Sequence, residues 1–144
     1  MKRILVATDG SEGARRAVDY AAGLANSTNA ELLIVSVADL GLPENLFVNF
    51  TSGQRKWLKD HMTSTASGIL KSAMEEARKA GSITIQLESR HGDTAETILE
   101  IAEQKDADLI VVGKRGISRM TGMLLGSISQ KVIVLAQRPV TVVP

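Results

Sequence analysis

Five short apolar runs recur along this chain, and stretches with helical spacing fill the intervals between them. The runs cover residues 4–7, 32–37, 83–88, 109–112 and 140–143. Residues 4–7 and 109–112 are apolar without interruption and 32–37 nearly so, the pattern of strands buried on both faces. Residues 83–88 alternate apolar and polar, which predicts a strand with one wet face at a sheet edge. Between the runs, Ala14, Ala17, Val18, Ala21, Leu24 and Ala25 repeat at helical spacing. Leu58, Met62, Ala66, Ile69, Leu70, Ala73 and Ala77 do the same, as do Ala95, Ile98, Leu99 and Ala102, and then Ile128, Val132, Leu135 and Ala136. This β-α-β-α-β-α-β-α-β order predicts an α/β fold, a parallel sheet with helices on both faces. At 144 residues the chain is read as a single domain over 1–144.

The boundaries carry local signals. Ser11 reads as the N-cap of the first helix, and Asn26-Ser27-Thr28-Asn29 as its stop. Residues 39–52, with Gly41, Pro43 and Asn45, form a connection long enough to predict a functional loop. The next helix is expected from about Gln54, with Gly81 at its C′ position. Asp93 and Glu96 have capping-box spacing, and Arg138-Pro139 breaks the last helix.

The strongest chemical signal is the stretch 113–129, with glycines at 113, 116, 122 and 126 and Ser127 after the last. It joins a buried strand to a helix. Glycine lets backbone N–H groups approach a ligand and adopt positive φ, and the N–H groups opening a helix favour an anion. Lys114, Arg115 and Arg119 add charge of the right sign. The reading is a phosphate-binding loop, with an ordinary structural turn as the alternative. The loop is neither a Gly-Lys-Ser/Thr loop nor Gly-x-Gly-x-x-Gly. Parallel sheets bind ligands at the carboxyl ends of their strands. Residues 8–10, 37–39 and 113 onward all follow strand ends and are expected to converge.

Charge and composition exclude other classes. Net charge is +1 at pH 7, which gives no global field to draw nucleic acid. The pairs Lys2-Arg3 and Lys114-Arg115 are too small to supply one. The absence of cysteine removes disulfides, thiolate metal sites and cysteine nucleophiles. His61 and His91 stand far apart, so no histidine metal site is expected. His91, at a strand end, either borders the site or only packs. Phe47, Phe50 and Trp57 either cap the pocket or, as expected, pack ordinarily. The apolar part of the N-terminus is too short for a signal peptide, and no apolar run reaches the length of a membrane span. A cytoplasmic protein without membrane insertion is the expectation.

The spacing Gly113-x2-Gly116-x9-Gly126-Ser127 resembles the nucleotide-binding signature of the universal stress protein family, in its ATP-binding branch. The likeness covers the whole chain: residues 4–11 look like the family's first strand and turn, and 92–98 like its third strand-to-helix turn. Residues 122–129 look like its loop-to-helix junction and 138–143 like its last strand. The resemblance implies a five-stranded parallel open sheet in the order 3-2-1-4-5, a Rossmann-like fold of the adenine nucleotide hydrolase type. It implies ATP as ligand, with Mg²⁺ held by phosphates, water and at most one carboxylate. Carried over by position, Thr8 and Asp9 sit beside the nucleotide, Asp9 near the ribose or a metal-bound phosphate. Val37 meets adenine through its backbone, and Gly113, Gly116, Gly126, Ser127 and Ile128 line the ribose and phosphates. Ser127 and Ser129 offer hydroxyls, and Arg115 is a candidate phosphate ligand. The family's pattern is broken at Lys114, where a small or polar residue is common, and at Ala7, where some members have proline.

Asp9 also reads as a plain turn former. A homodimer through Val140–Val143 follows from the resemblance and, separately, from the hazard of an exposed apolar edge strand, which a twin strand covers. The function expected is a nucleotide-responsive stress or signalling dimer with an unknown protein partner and no robust catalysis. The alternatives are a slow ATPase or autophosphorylating phosphotransferase, or a dimeric interaction protein that binds no nucleotide.

Overall fold

A computed structural model describes residues 1–39, 41, 44–116 and 124–144, with the backbone alone at positions 44 and 47. Pro43, Arg119 and Gly122 of the sequence reading lie outside the described residues. The elements run β1 (Arg3–Ala7), α1 (Glu12–Thr28), β2 (Glu31–Ala38), α2 (Glu44–Phe47), α3 (Ser52–Arg78), β3 (Ile85–His91), α4 (Thr94–Gln104), β4 (Leu109–Gly113), α5 (Ser127–Leu135) and β5 (Val140–Val143). The strands form one parallel sheet in the order β3-β2-β1-β4-β5, the order the resemblance implied.

The continuous apolar runs are explained by the two faces of this sheet. Ile4 and Val6 of β1 join the core under α1 and α3, with Ala17, Ala21, Leu70 and Ala77. Leu5 between them joins the core under α4 and α5, with Ile98, Ile101 and Val132. Each such fully buried Ile or Leu contributes about 1.5–3 kcal/mol of transfer free energy. Central strands therefore need apolar residues at every position, not at every second one.

Side chains cap the helices as the sequence indicated. The Ser11 hydroxyl accepts from the Ala14 N–H at 3.2 Å, and Asp93 accepts from the Glu96 N–H at 2.9 Å. Asn29 closes α1 in the left-handed region at φ 57°. The long helix begins earlier than expected, because Thr51 and Gln54 form a reciprocal capping box. Gly81 is not the C′ residue: α3 ends at Arg78 with Lys79 as C-cap. Gly81 stands at φ 139°, a backbone conformation that residues with a Cβ rarely adopt, and that explains the glycine.

Three further expectations need revision. The connection 39–52 contains the short helix α2. Strand β3 lies at the sheet edge, but its exposure does not alternate strictly, and Leu87 is 41% exposed. Trp57 does not pack into the core. It is 66% exposed and stacks on His61 with ring centroids 5.3 Å apart. The first turns of α3 bury nothing, and its buried residues begin at Ala66.

Candidate functional site

A cavity of about 350 Å³ opens at the carboxyl edge of the sheet, within the range of roughly 300–1,000 Å³ usual for small-molecule sites. Its floor is apolar: Ala7 from β1, Val35 and Val37 from β2, and Val112 from β4. All ten residues singled out in the sequence border it, namely Thr8, Asp9, Val37, Gly113, Arg115, Gly116, Gly126, Ser127, Ile128 and Ser129. His91 does not border it and ends β3 exposed. No helix among the described residues is long and apolar enough to cross a membrane.

The turn after β1 is held by its own side chains. Asp9 Oδ1 accepts from the Ser11 N–H at 2.9 Å, and Thr8 Oγ1 accepts from the Gly10 N–H at 3.2 Å. An added Cβ on Gly116 would stand 2.7 Å from Asp9 Oδ2, so this glycine lets the segment after β4 lie against the carboxylate. Gly13 and Gly113 meet nearby. A Cβ on Gly13 would lie 2.6 Å from the Arg115 carbonyl oxygen, and one on Gly113 would lie 2.9 Å from the Gly13 carbonyl oxygen. Positive φ is not what these glycines supply. The positive-φ glycines among the described residues are Gly10, Gly41, Gly81 and Gly92, and Gly126 is extended at φ −69°. Close backbone approach is their role, and Gly13 was missed in the sequence because it looks like any small residue of an alanine-rich helix.

The loop's far end is tied to its near end. The Lys114 carbonyl accepts from the Gly126 N–H at 2.8 Å and from the Ser129 hydroxyl at 2.9 Å. Ser129 Oγ also lies 3.0 Å from the Gly126 carbonyl oxygen, and the residue is 3% exposed. Its hydroxyl hydrogen is therefore engaged with the backbone rather than turned to the cavity. Ser127, by contrast, is exposed at the first position of α5.

Three helix N-termini face this space, through Ser11 of α1, Thr94 of α4 and Ser127 of α5. Side chains cap α1 and α4, but Gly126 at the head of α5 provides none. The first-turn N–H groups of α5 are thus the uncapped positive end of a helix dipole beside the cavity. The cap of α4 is strapped to α5: Lys131 Nζ lies 3.1 Å from Asp93 Oδ2 and 3.2 Å from Glu96 Oε1. The Glu96 N–H, and then Lys131, hold the Asp93 carboxyl below its ordinary range. Lys131 therefore serves α4, and Arg115 is the basic residue that borders the cavity among the described residues. No cluster of three or more His, Asp or Glu side chains suited to a metal occurs among them.

Asp39 and Thr94 are among the lining residues that were not singled out as ligands. Asp39 continues the β2 row Val35, Val37 at period two, and Thr94 follows the Asp93 cap. The signal for Asp39 was the alternation itself, legible once the face of β2 that meets the cavity is known.

Fold and cavity together define an α/β protein with a cavity where the order of parallel strands reverses, between β1 and β4, the place at which open parallel sheets bind ligands. The profile of the universal stress protein family matches residues 1–144, and the chain belongs to that family. It is similar to universal stress protein MJ0531 of Methanocaldococcus jannaschii, 33% identical over 146 residues that cover 99% of this chain and 81% of the relative. Its fold superposes on that of hypothetical protein MJ0577 with a TM-score of 0.84, at 27% identity, over 99% of this chain and 94% of the other. It also superposes on a universal stress protein in complex with cAMP, with a TM-score of 0.72 and 30% identity, over 99% and 95% of the two chains.

Proposed function

We propose that this protein binds an adenine nucleotide, ATP foremost, in the cavity at the carboxyl edge of its sheet, and acts as a nucleotide-responsive dimer in a stress response. The observation that carries the reading is the uncapped N-terminus of α5 at one end of an apolar-floored cavity. Phosphates suit the first-turn N–H groups of 127–129, with the Ser127 hydroxyl and Arg115 beside them. A flat base suits the floor of Val35 and Val37. Asp9, between these ends, takes the ribose or one coordination position of a phosphate-bound Mg²⁺. The cAMP-bound relative supports a nucleotide of this class.

The dimer forms through β5 in this reading. The opposite edge, β3, is guarded by charge: Arg90 pairs with Glu88 at 2.6 Å and lies 3.8 Å from Glu100. Strand β5 carries no charge, and Ile133, Val134 and Leu135 of the neighbouring α5 are 42%, 79% and 50% exposed.

Calorimetric titration of Mg-ATP into nucleotide-stripped protein tests the site, beside Gly126→Val. The Cβ of that variant starts 3.3 Å from the Lys114 carbonyl oxygen, and its branches reach farther toward the phosphate path. Saturable binding by the parent, weakened at least about tenfold in a folded variant, is the expected result. No binding by the folded parent would sink the reading.

A further inference from the structure

The side chains of Val35, Val37 and Asp39 line one cavity in a row, as residues at period two along a strand must. Asp39 is the last of them, one residue beyond the end of β2. Its Oδ1 accepts the Gly41 N–H at 2.8 Å, which fixes the carboxylate. Among the described residues no group donates to Oδ2. An ionised carboxylate accepts hydrogen bonds and cannot donate, so this end of the cavity attracts a donor and repels phosphate.

Resting on the nucleotide reading above, the strand order says which part of the ligand arrives there. Neighbouring strands lie about 4.8 Å apart, so β4 and β2 are separated by about 10 Å. With phosphates on α5 beside β4, the ribose lies over β1 and the base over β2. Adenine carries a donor at its six-position, the exocyclic amine, whereas guanine and hypoxanthine carry an acceptor oxygen. We propose that Asp39 is the residue that selects a 6-aminopurine: its carboxylate accepts from the exocyclic amine and repels a 6-oxo group. Asp39 is exposed, so the discrimination comes from repulsion between its carboxylate and a 6-oxo group rather than from a buried atom left unpaired.

Titrations with ATP and ITP, which differ at the six-position, test this on the parent and on Asp39→Asn. The asparagine keeps an acceptor for Gly41 and replaces the second oxygen with an NH₂ donor. The parent is expected to bind ATP about tenfold more tightly than ITP. In the variant ATP weakens while ITP tightens, so the preference moves toward ITP. A purely structural role would weaken both nucleotides together. A parent preference below about threefold, or a variant ratio within about twofold of the parent's, overturns the assignment while leaving nucleotide binding intact. A folded parent that binds neither nucleotide overturns the nucleotide reading, and this assignment with it.

Discussion

The hydroxyl of Ser129 donates to the carbonyl oxygen of Lys114 at 2.9 Å, across 15 residues of sequence. The bond pins the first turn of α5 to the end of β4 from a position that is 3% exposed. Ser129→Ala removes it and leaves the Lys114 carbonyl with the Gly126 N–H alone. The expected cost is about 1 kcal/mol, a fall in Tm of about 3–5 °C. Circular dichroism on heating measures it, and an unchanged Tm would mean that the Gly126 bond suffices.

Helix α1 carries a matched pair of glycines. Gly13→Ala drives a Cβ to within 2.6 Å of the Arg115 backbone oxygen, and a backbone atom cannot swing aside as a flexible side chain does. Overpacking of this kind costs about 1–3 kcal/mol, and it displaces the segment that borders the cavity, so under the proposed function nucleotide affinity falls too. Gly23→Ala, in the same helix, meets nothing within 4 Å and should stabilise by about 0.5–1 kcal/mol. Urea midpoints of the two variants should move in opposite directions.

Lys131 ties α4 to α5 in a pH-dependent way. The folded Asp93 pKa is depressed, by the Glu96 N–H first and Lys131 after it. That contribution is present above the ordinary value near 3.9 and disappears as the pH falls through the folded value. The Lys131 pKa is raised by its bonds to Asp93 and Glu96. Its contribution is present below about pH 10.4 and disappears as the pH rises through the folded value. Lys131→Met should therefore be less stable than the parent by a near-constant margin from about pH 5 to 9. The margin should close at both extremes. Denaturation midpoints across pH check this, and a margin independent of pH would assign Lys131 a packing role.

The outer side of β5 can be blocked without disturbing its inner side. Ile110 donates to the Pro139 carbonyl and Lys114 to the Val143 carbonyl. By the alternation of a parallel ladder, the peptide groups of Val140 and Val142 therefore face away from β4. Val142→Pro removes an outward N–H at a position where an edge strand accepts proline. If a twin strand pairs there, the variant sediments as a folded monomer where the parent sediments as a dimer. A variant that remains dimeric would place the contact elsewhere.

The central strands, three of the helix caps and the convergence on one sheet edge were legible in the sequence because each follows from neighbours a few residues apart. What escaped it depends on elements distant in the chain. Gly13 matters because the Arg115 carbonyl sits over it, and no local pattern marks that approach. Trp57 is apolar by type, yet it lies on turns of α3 that precede the first buried residue of the helix. The Ser129 hydroxyl looks like a ligand donor until its bonds to the backbone are seen.

Lys114 faces two ways along its own backbone. Its N–H is bound to the last residue of β5, and its carbonyl to the Gly126 and Ser129 that open α5. The strand edge open to a neighbour and the helix end open to an anion therefore meet at a single amino acid. A tug on one reaches the other through three covalent bonds of main chain and the Gly126 N–H, with the Ser129 hydroxyl as a second, side-chain strand of the relay. Substitutions of the lysine side chain leave that junction in place, whereas proline at position 114 would remove the N–H that holds β5.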